Sequence, residues 1–217
     1  MNDKMLDSAC GKISSFEEVL TYSVGAEKAH EITERLLRRY GSFSTAFSAS
    51  TDELCFVGDM SRNTALLIKL IAYLHSRAVT ERFTFGREYS ELEIREYIGA
   101  IFLGSSVESV YVFLLDDNGR VIHTEHISDG TVNASDVVPR KILESARRRN
   151  SKKIILAHNH PKGRAVASKD DIMTTGRLFN LFASVGVRLV AHYIVADGEV
   201  GVISADMLYD PDSVGKK

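Results

Sequence analysis

The alternation of apolar and polar positions divides the chain into a helical first part and a strand-rich second part. In "AEKAHEITERLLRRY", Ala26, Ala29, Ile32, Leu36 and Tyr40 recur at helical spacing, and Gly41 follows as the stop. The next stretch, "SFSTAFSASTDELCFVGDMSRNTALLIKLIAYLHSRAV", predicts a short helix, a turn at Gly58 and a longer apolar helix from about Asn63 to Ala78. A connector around Phe83 to Glu88 then leads to another helix that starts near Ser90.

Beyond that helix the period changes. "ESVYVFLLD" reads as a buried strand, "DNG" as a hairpin turn and "RVIHTEHI" as the alternating partner. "ASDVVPRKILESARRRN" predicts a helix with Pro139 in its first turn and Asn150 at its end. The strand "KKIILAHNH", the loop "PKGRAVA" and a helix over "SKDDIMTTGRLFNLFASVG" follow, the last with an apolar stripe through Ile172, Phe179 and Phe182. "VRLVAHYIVA", the turn "DG" and "EVGVIS" form a second hairpin. Strands interleaved with helices in this order predict an α/β fold with a mixed sheet, preceded by a small all-helical domain. The expected division is a helical domain over 1–83 and the α/β domain over 90–217.

Composition adds bounds to this picture. With 44% hydrophobic and 26% charged residues the chain is an ordinary globular sequence without low-complexity tracts. No apolar run is long enough to span a bilayer and the N-terminus has no apolar signal core, so a cytoplasmic chain without a membrane partner is expected. Cys10 and Cys55 are the only cysteines, and they read as free thiols, so any metal must be held by nitrogen and oxygen ligands. Residues 1–83 hold 10 basic and 11 acidic side chains, which is not the basic excess of a typical nucleic-acid binder. The basic run "ARRRNSKK" reads as a solvated helix end.

The chemistry concentrates in "IILAHNHPKGRAVASKDD". On a strand, His158 and His160 point to the same side while Asn159 points away, so the pair can share one ion. A carboxylate from the next helix start would complete three protein ligands and leave a position for water. The competing reading needs no metal: Ser168 and Asp171 fit a capping box at that helix start. The two readings are compatible.

His158-x-His160, ten intervening residues and Asp171, with Ser168 three positions before the aspartate, resemble the JAMM motif of the JAB/MPN metalloprotease superfamily. "HNHPKG" is similar to the "HNHPSG" signature of its RadC-like branch, and "DGT", "PRKILESA" and "ILAHNHP" occur in that family's order. "RLLRRYGSF" and "DELCFVGDM" likewise resemble its N-terminal, helix-hairpin-helix-like domain. The resemblance implies a JAB/MPN-like metal-binding domain with one zinc per chain on His158, His160 and Asp171. It also implies Glu108 as the general base acting on a metal-activated water and Ser168 as a hydrogen-bond donor to the oxyanion, with Glu125 on the partner strand as the competing acid. The expected activity is hydrolysis of a peptide or isopeptide bond in a protein or peptide substrate. A second reading, of another class, makes the chain a DNA-associated accessory protein in repair or recombination, with the metal domain as a structural or binding module.

The chain departs from the family pattern at three places. Lys162 stands where the family has Ser, and Ala191-His192 where an Asp-His pair is expected, which removes a carboxylate that could orient a ligand. His192 then reads as a sheet histidine. The turn Gly58-Asp59-Met60 lacks the second glycine of a G-x-G hairpin and carries an acid, which argues against phosphate binding there. Asp170 reads as a helix-start charge facing water, and His30, His75, His123 and His126 have no spaced partner.

Overall fold

The structure, a computed structural model, describes residues 16–130, 137–161 and 163–203. Cys10, Lys162 and the start of "ASDVVPRK" lie outside the described residues. The chain divides into two compact units, Met1–His75 and Ser76–Lys217.

The first unit is helical throughout its described part: α1 over 16–24, α2 (Ala26–Tyr40), α3 (Phe43–Ser48), α4 (Thr51–Gly58) and the beginning of α5 (Arg62–Arg82). Its core gathers Phe16, Leu20, Ala29, Ile32, Leu36, Leu54, Ala65 and Ile68, the apolar stripes of these helices. Two short helices stand where one was expected, because Ser42 and Ser50 each cap a new helix and Ala49 between them is extended. Asp59 closes α4 in the left-handed region at φ 49°, within 3.4 Å of both Lys28 and Arg35. Helix α5 also runs past Ala78 to Arg82, since "VTER" contains no breaker and Arg77 pairs with Glu81 one turn on.

The second unit is an α/β domain built on a five-stranded mixed sheet in the order β2-β1-β3-β4-β5, bearing out the expected fold class. The elements are α6 (Glu91–Phe102), β1 (Ser109–Leu115), β2 (Val121–Asp129), α7 (Val137–Arg148), β3 (Lys153–Asn159), α8 (Lys169–Ser184), β4 (Arg188–Ala196) and β5 (Glu199–Ile203). Capping boxes start α6 at Ser90 with Glu93 and α8 at Ser168 with Asp171. One sheet face presents Val110, Val112, Leu114, Ile154 and Leu156 to Ile142 of α7 and Leu178 and Phe182 of α8. The opposite face packs Phe113, Ile155, Ala157, Tyr193 and Val195 against Tyr97, Ile98 and Phe102 of α6.

Buried on both faces, β3 is the continuous apolar run that a central strand requires. It pairs antiparallel with β1 and parallel with β4, and α8 makes the crossover between the parallel pair. The carboxyl end of β3 therefore opens beside the first turn of α8 and the amino end of β1.

Candidate metal centre

Alternation along β3 turns His158 to the same side as Ile154 and Leu156, toward α7 and α8, and buries it completely. His160 lies just beyond the strand, but its backbone N–H donates to Val195 O at 2.8 Å, which continues the β3–β4 pairing and keeps its ring on the same side. The two Nε2 atoms come within 2.9 Å of each other. Asp171 reaches in from α8, with Oδ1 3.3 Å from His158 Nε2 and Oδ2 3.5 Å from His160 Nε2. The β1–β3 register sets Val110 against His158, so two residues further out Glu108 falls beside His160. Its half-buried carboxylate and the two imidazoles offer donor atoms that all lie within 4.8 Å of one another.

The hydrogen bonds decide which lone pairs this cluster exposes. His160 Nδ1 faces the carbonyl oxygen of Arg164 at 3.2 Å, and a carbonyl only accepts, so Nδ1 carries the proton and the neutral ring leaves Nε2 bare. His158 Nδ1 lies 2.9 Å from His192 Nε2, so its outer nitrogen is likewise the one aimed at the cluster. Burial on its own would raise the Asp171 carboxyl, but the His158 and His160 imidazoles, which donate to it once protonated, and the hydroxyl and N–H of Ser168 outweigh burial and hold the group well below the usual carboxylate range. The hydrogen bond that a protonated Nε2 would donate to Asp171 raises His160 against the opposing effect of burial. Two imidazole lone pairs and two carboxylates thus converge on one small volume, an arrangement that only a proton or a cation can relieve. A set of two nitrogens with carboxylate oxygen suits zinc.

Ser168 and Asp171 satisfy each other as well as the cluster. Ser168 Oγ accepts from Asp171 N at 3.1 Å and donates to Asp171 Oδ2 at 2.6 Å, so the capping box is present and orients the carboxylate. The hydroxyl proton points at Asp171. Asp170 is exposed. Glu125 lies apart from the cluster, its carboxylate held by Ser145 and by Arg148 at 2.9 Å. Arg149 contacts His123 at 2.9 Å, so two cations of the basic run are engaged with β2. His30 and His126 sit in exposed contacts with Glu17 and Asp129.

Three contributors were not legible in the sequence. Asn159, turned to the other side of β3, accepts from Ser109 N at 2.8 Å and donates to Val107 O at 3.1 Å, and so grips the chain on both sides of Glu108. Gly201 of β5 lets the loop after His160 come close, since a Cβ there would fall 2.1 Å from the Ala165 carbonyl oxygen. His192, read as a sheet histidine, instead abuts His158, and burial, reinforced by the neighbouring imidazole, pushes it down to about 3. The missing aspartate at Ala191 has a different consequence from the one expected: Ala191 packs on the α6 side, so a carboxylate there would face away from His158.

Residues 89–207 match the model of the RadC-like JAB domain. The chain belongs to this family. The matched JAB domain runs from the edge of α6 past β5 and contains Glu108, His158, His160, Ser168, Asp171 and His192. The chain is 32% identical over 171 residues to a UPF0758 protein of Vibrio atlanticus, covering 78% of this chain and 76% of that protein. A UPF0758 protein of Photobacterium profundum is 29% identical over 202 residues, 91% and 90% of the two chains. Among the described residues no helix is long and apolar enough to cross a membrane.

Proposed function

We propose that this JAB-domain protein is a zinc-dependent hydrolase of the JAMM type, acting on a peptide or isopeptide bond. The observation that carries the reading is the convergence of the two Nε2 atoms, 2.9 Å apart, with the Asp171 and Glu108 carboxylates beside them. His158, His160 and Asp171 would hold the ion. Bound there, zinc supplies a Lewis acid and a water whose pKa falls to about 7. Glu108 keeps its carboxylate beside both imidazoles and is the group placed to accept the proton of the attacking water and return it to the leaving amine. Ser168 steadies Asp171, and its hydroxyl must turn from Oδ2 before it can donate to an oxyanion.

The alternative of a DNA-associated accessory protein finds less support. The acid in the α4–α5 turn, Asp59, faces Lys28 and Arg35, so these cations already have an anionic partner where a phosphate would need them.

Metal analysis of the purified full-length protein tests the proposal. One zinc per chain is expected, lost in His158→Ala, His160→Ala and Asp171→Ala. Stoichiometric zinc in any of these variants after dialysis against a mild chelator would show the ligand assignment to be wrong.

A further inference from the structure

The site has a second layer that the motif does not contain. Behind His158 a chain of three hydrogen bonds crosses from β3 to β4 to α8: His158 Nδ1 to His192 Nε2 at 2.9 Å, His192 Nδ1 to Thr175 Oγ1 at 2.7 Å, and Thr175 Oγ1 to Asp171 O at 2.6 Å. His158, His192 and Thr175 are all buried, so no water competes for these groups.

The direction of the chain follows from its far end. The Asp171 carbonyl can only accept, so the single Thr175 proton goes to it and Thr175 Oγ1 presents a lone pair to His192. His192 must therefore carry its proton on Nδ1. Buried and without a carboxylate in contact, its ring is neutral, and Nε2 is left as an acceptor. That acceptor takes the Nδ1 proton of His158, and His158 Nε2 remains bare toward the cluster.

We propose that His192 and Thr175 are positioning residues that lock His158 in the tautomer competent to bind metal, and that the relay ties this ligand to the backbone of a second ligand, Asp171. The proposal rests on the zinc reading above for its purpose, though not for its geometry. A ligand histidine usually donates its remote N–H to a carboxylate, a carbonyl or water. Here a neutral imidazole accepts it, and the polarity that a carboxylate would impose by charge is imposed by a hydroxyl anchored on the helix that carries Asp171. Thr175 lies four residues after Asp171, one helical turn, which places its hydroxyl on the Asp171 carbonyl.

The test reads ring nitrogens and metal affinity in the full-length chain. In the metal-stripped wild type at about pH 8, above the ordinary histidine pKa, nitrogen-15 spectra of the imidazoles should show His192 protonated on Nδ1 and bare on Nε2, and His158 protonated on Nδ1. Thr175→Val keeps the shape but removes the hydroxyl, so His192 should lose the Nδ1 preference and zinc affinity, measured by chelator competition, should fall about 10-fold or more. Thr175→Ser should restore both. His192→Phe should weaken zinc similarly, and His192→Gln, which can accept from His158 and donate to Thr175, should recover part of the loss. A wild-type His192 protonated on Nε2 overturns the relay, as does a Thr175→Val chain that binds zinc like the wild type with an unchanged His192 spectrum. A wild-type chain that takes up no zinc overturns the metal reading instead, and the His192 tautomer then judges the relay by itself.

Discussion

Glu108 stands just before β1 and Glu125 on the adjacent β2, yet of the two only Glu108 has its carboxylate beside the His158 and His160 imidazoles. Glu108→Gln keeps shape and hydrogen bonding but cannot accept a proton, so zinc should stay bound while turnover of a peptide or isopeptide substrate falls about 10²-fold or more. Glu125→Gln is the control, with zinc content and turnover near wild type. Its expected effect is on stability: the Ser145 hydrogen bond, opposed by burial and aided by Arg148, lowers the Glu125 pKa. A depressed carboxyl contributes stability above its unfolded value of about 4.3, and the contribution is lost as pH falls through the folded value. Urea titrations should therefore show Glu125→Gln less stable by about 1 kcal/mol at neutral pH, with the difference shrinking below about pH 4. The exposed Arg148 pair adds little to this figure. The four cluster residues were legible because three stand within one short stretch whose spacing follows strand alternation and a helix start, and the fourth follows from the family resemblance. His192 and Asn159 were not, because their partners lie 34 and 50 residues away and only the sheet brings them together.

Among the elements, β1 and the loop after β3 depend on specific side chains to meet the site. Asn159 clamps the entry to β1 through Val107 O and Ser109 N, so Asn159→Ala leaves the buried Ser109 N–H without that partner and removes one of the donors to Val107 O. A loss of about 1–3 kcal/mol in unfolding free energy is expected, with turnover reduced through Glu108 and zinc stoichiometry unchanged. Loss of zinc along with activity would show that Asn159 supports the ligands themselves. Gly201→Ala makes the complementary perturbation, since the added Cβ meets the Ala165 carbonyl and must displace the loop that joins His160 to Ser168. Most element boundaries were readable from periodicity and caps: Ser90 and Ser168 announce α6 and α8, and Gly41 ends α2. The division of α3 from α4 was harder to see. Its signal is a second serine cap inside a run of small residues, where the apolar spacing is too sparse to mark two helices.

At the scale of the whole chain, the strand order turns two distant segments into one site. Antiparallel pairing brings the amino end of β1 to the carboxyl end of β3, and the parallel β3–β4 crossover puts the first turn of α8 over the same spot. An ion on His158, His160 and Asp171 would cross-link β3 to α8, and the relay through His192 would extend that link to β4. Because ligands preferring the folded state stabilise it by mass action, free zinc at about 100 times Kd should add about 2.7 kcal/mol to this domain. For a domain of this size that corresponds to a rise of about 5 to 10 °C in melting temperature. Since the chain comprises two units, the effect should be regional and is better read by hydrogen exchange than by a single melting curve. Zinc should slow exchange in β3, β4 and the first turns of α8 and leave α2, α3 and α4 unchanged, and Asp171→Ala should abolish the protection. Equal protection across the helical unit, or a shift that survives Asp171→Ala, would mean that zinc binds elsewhere and that the convergence of these strands serves another purpose.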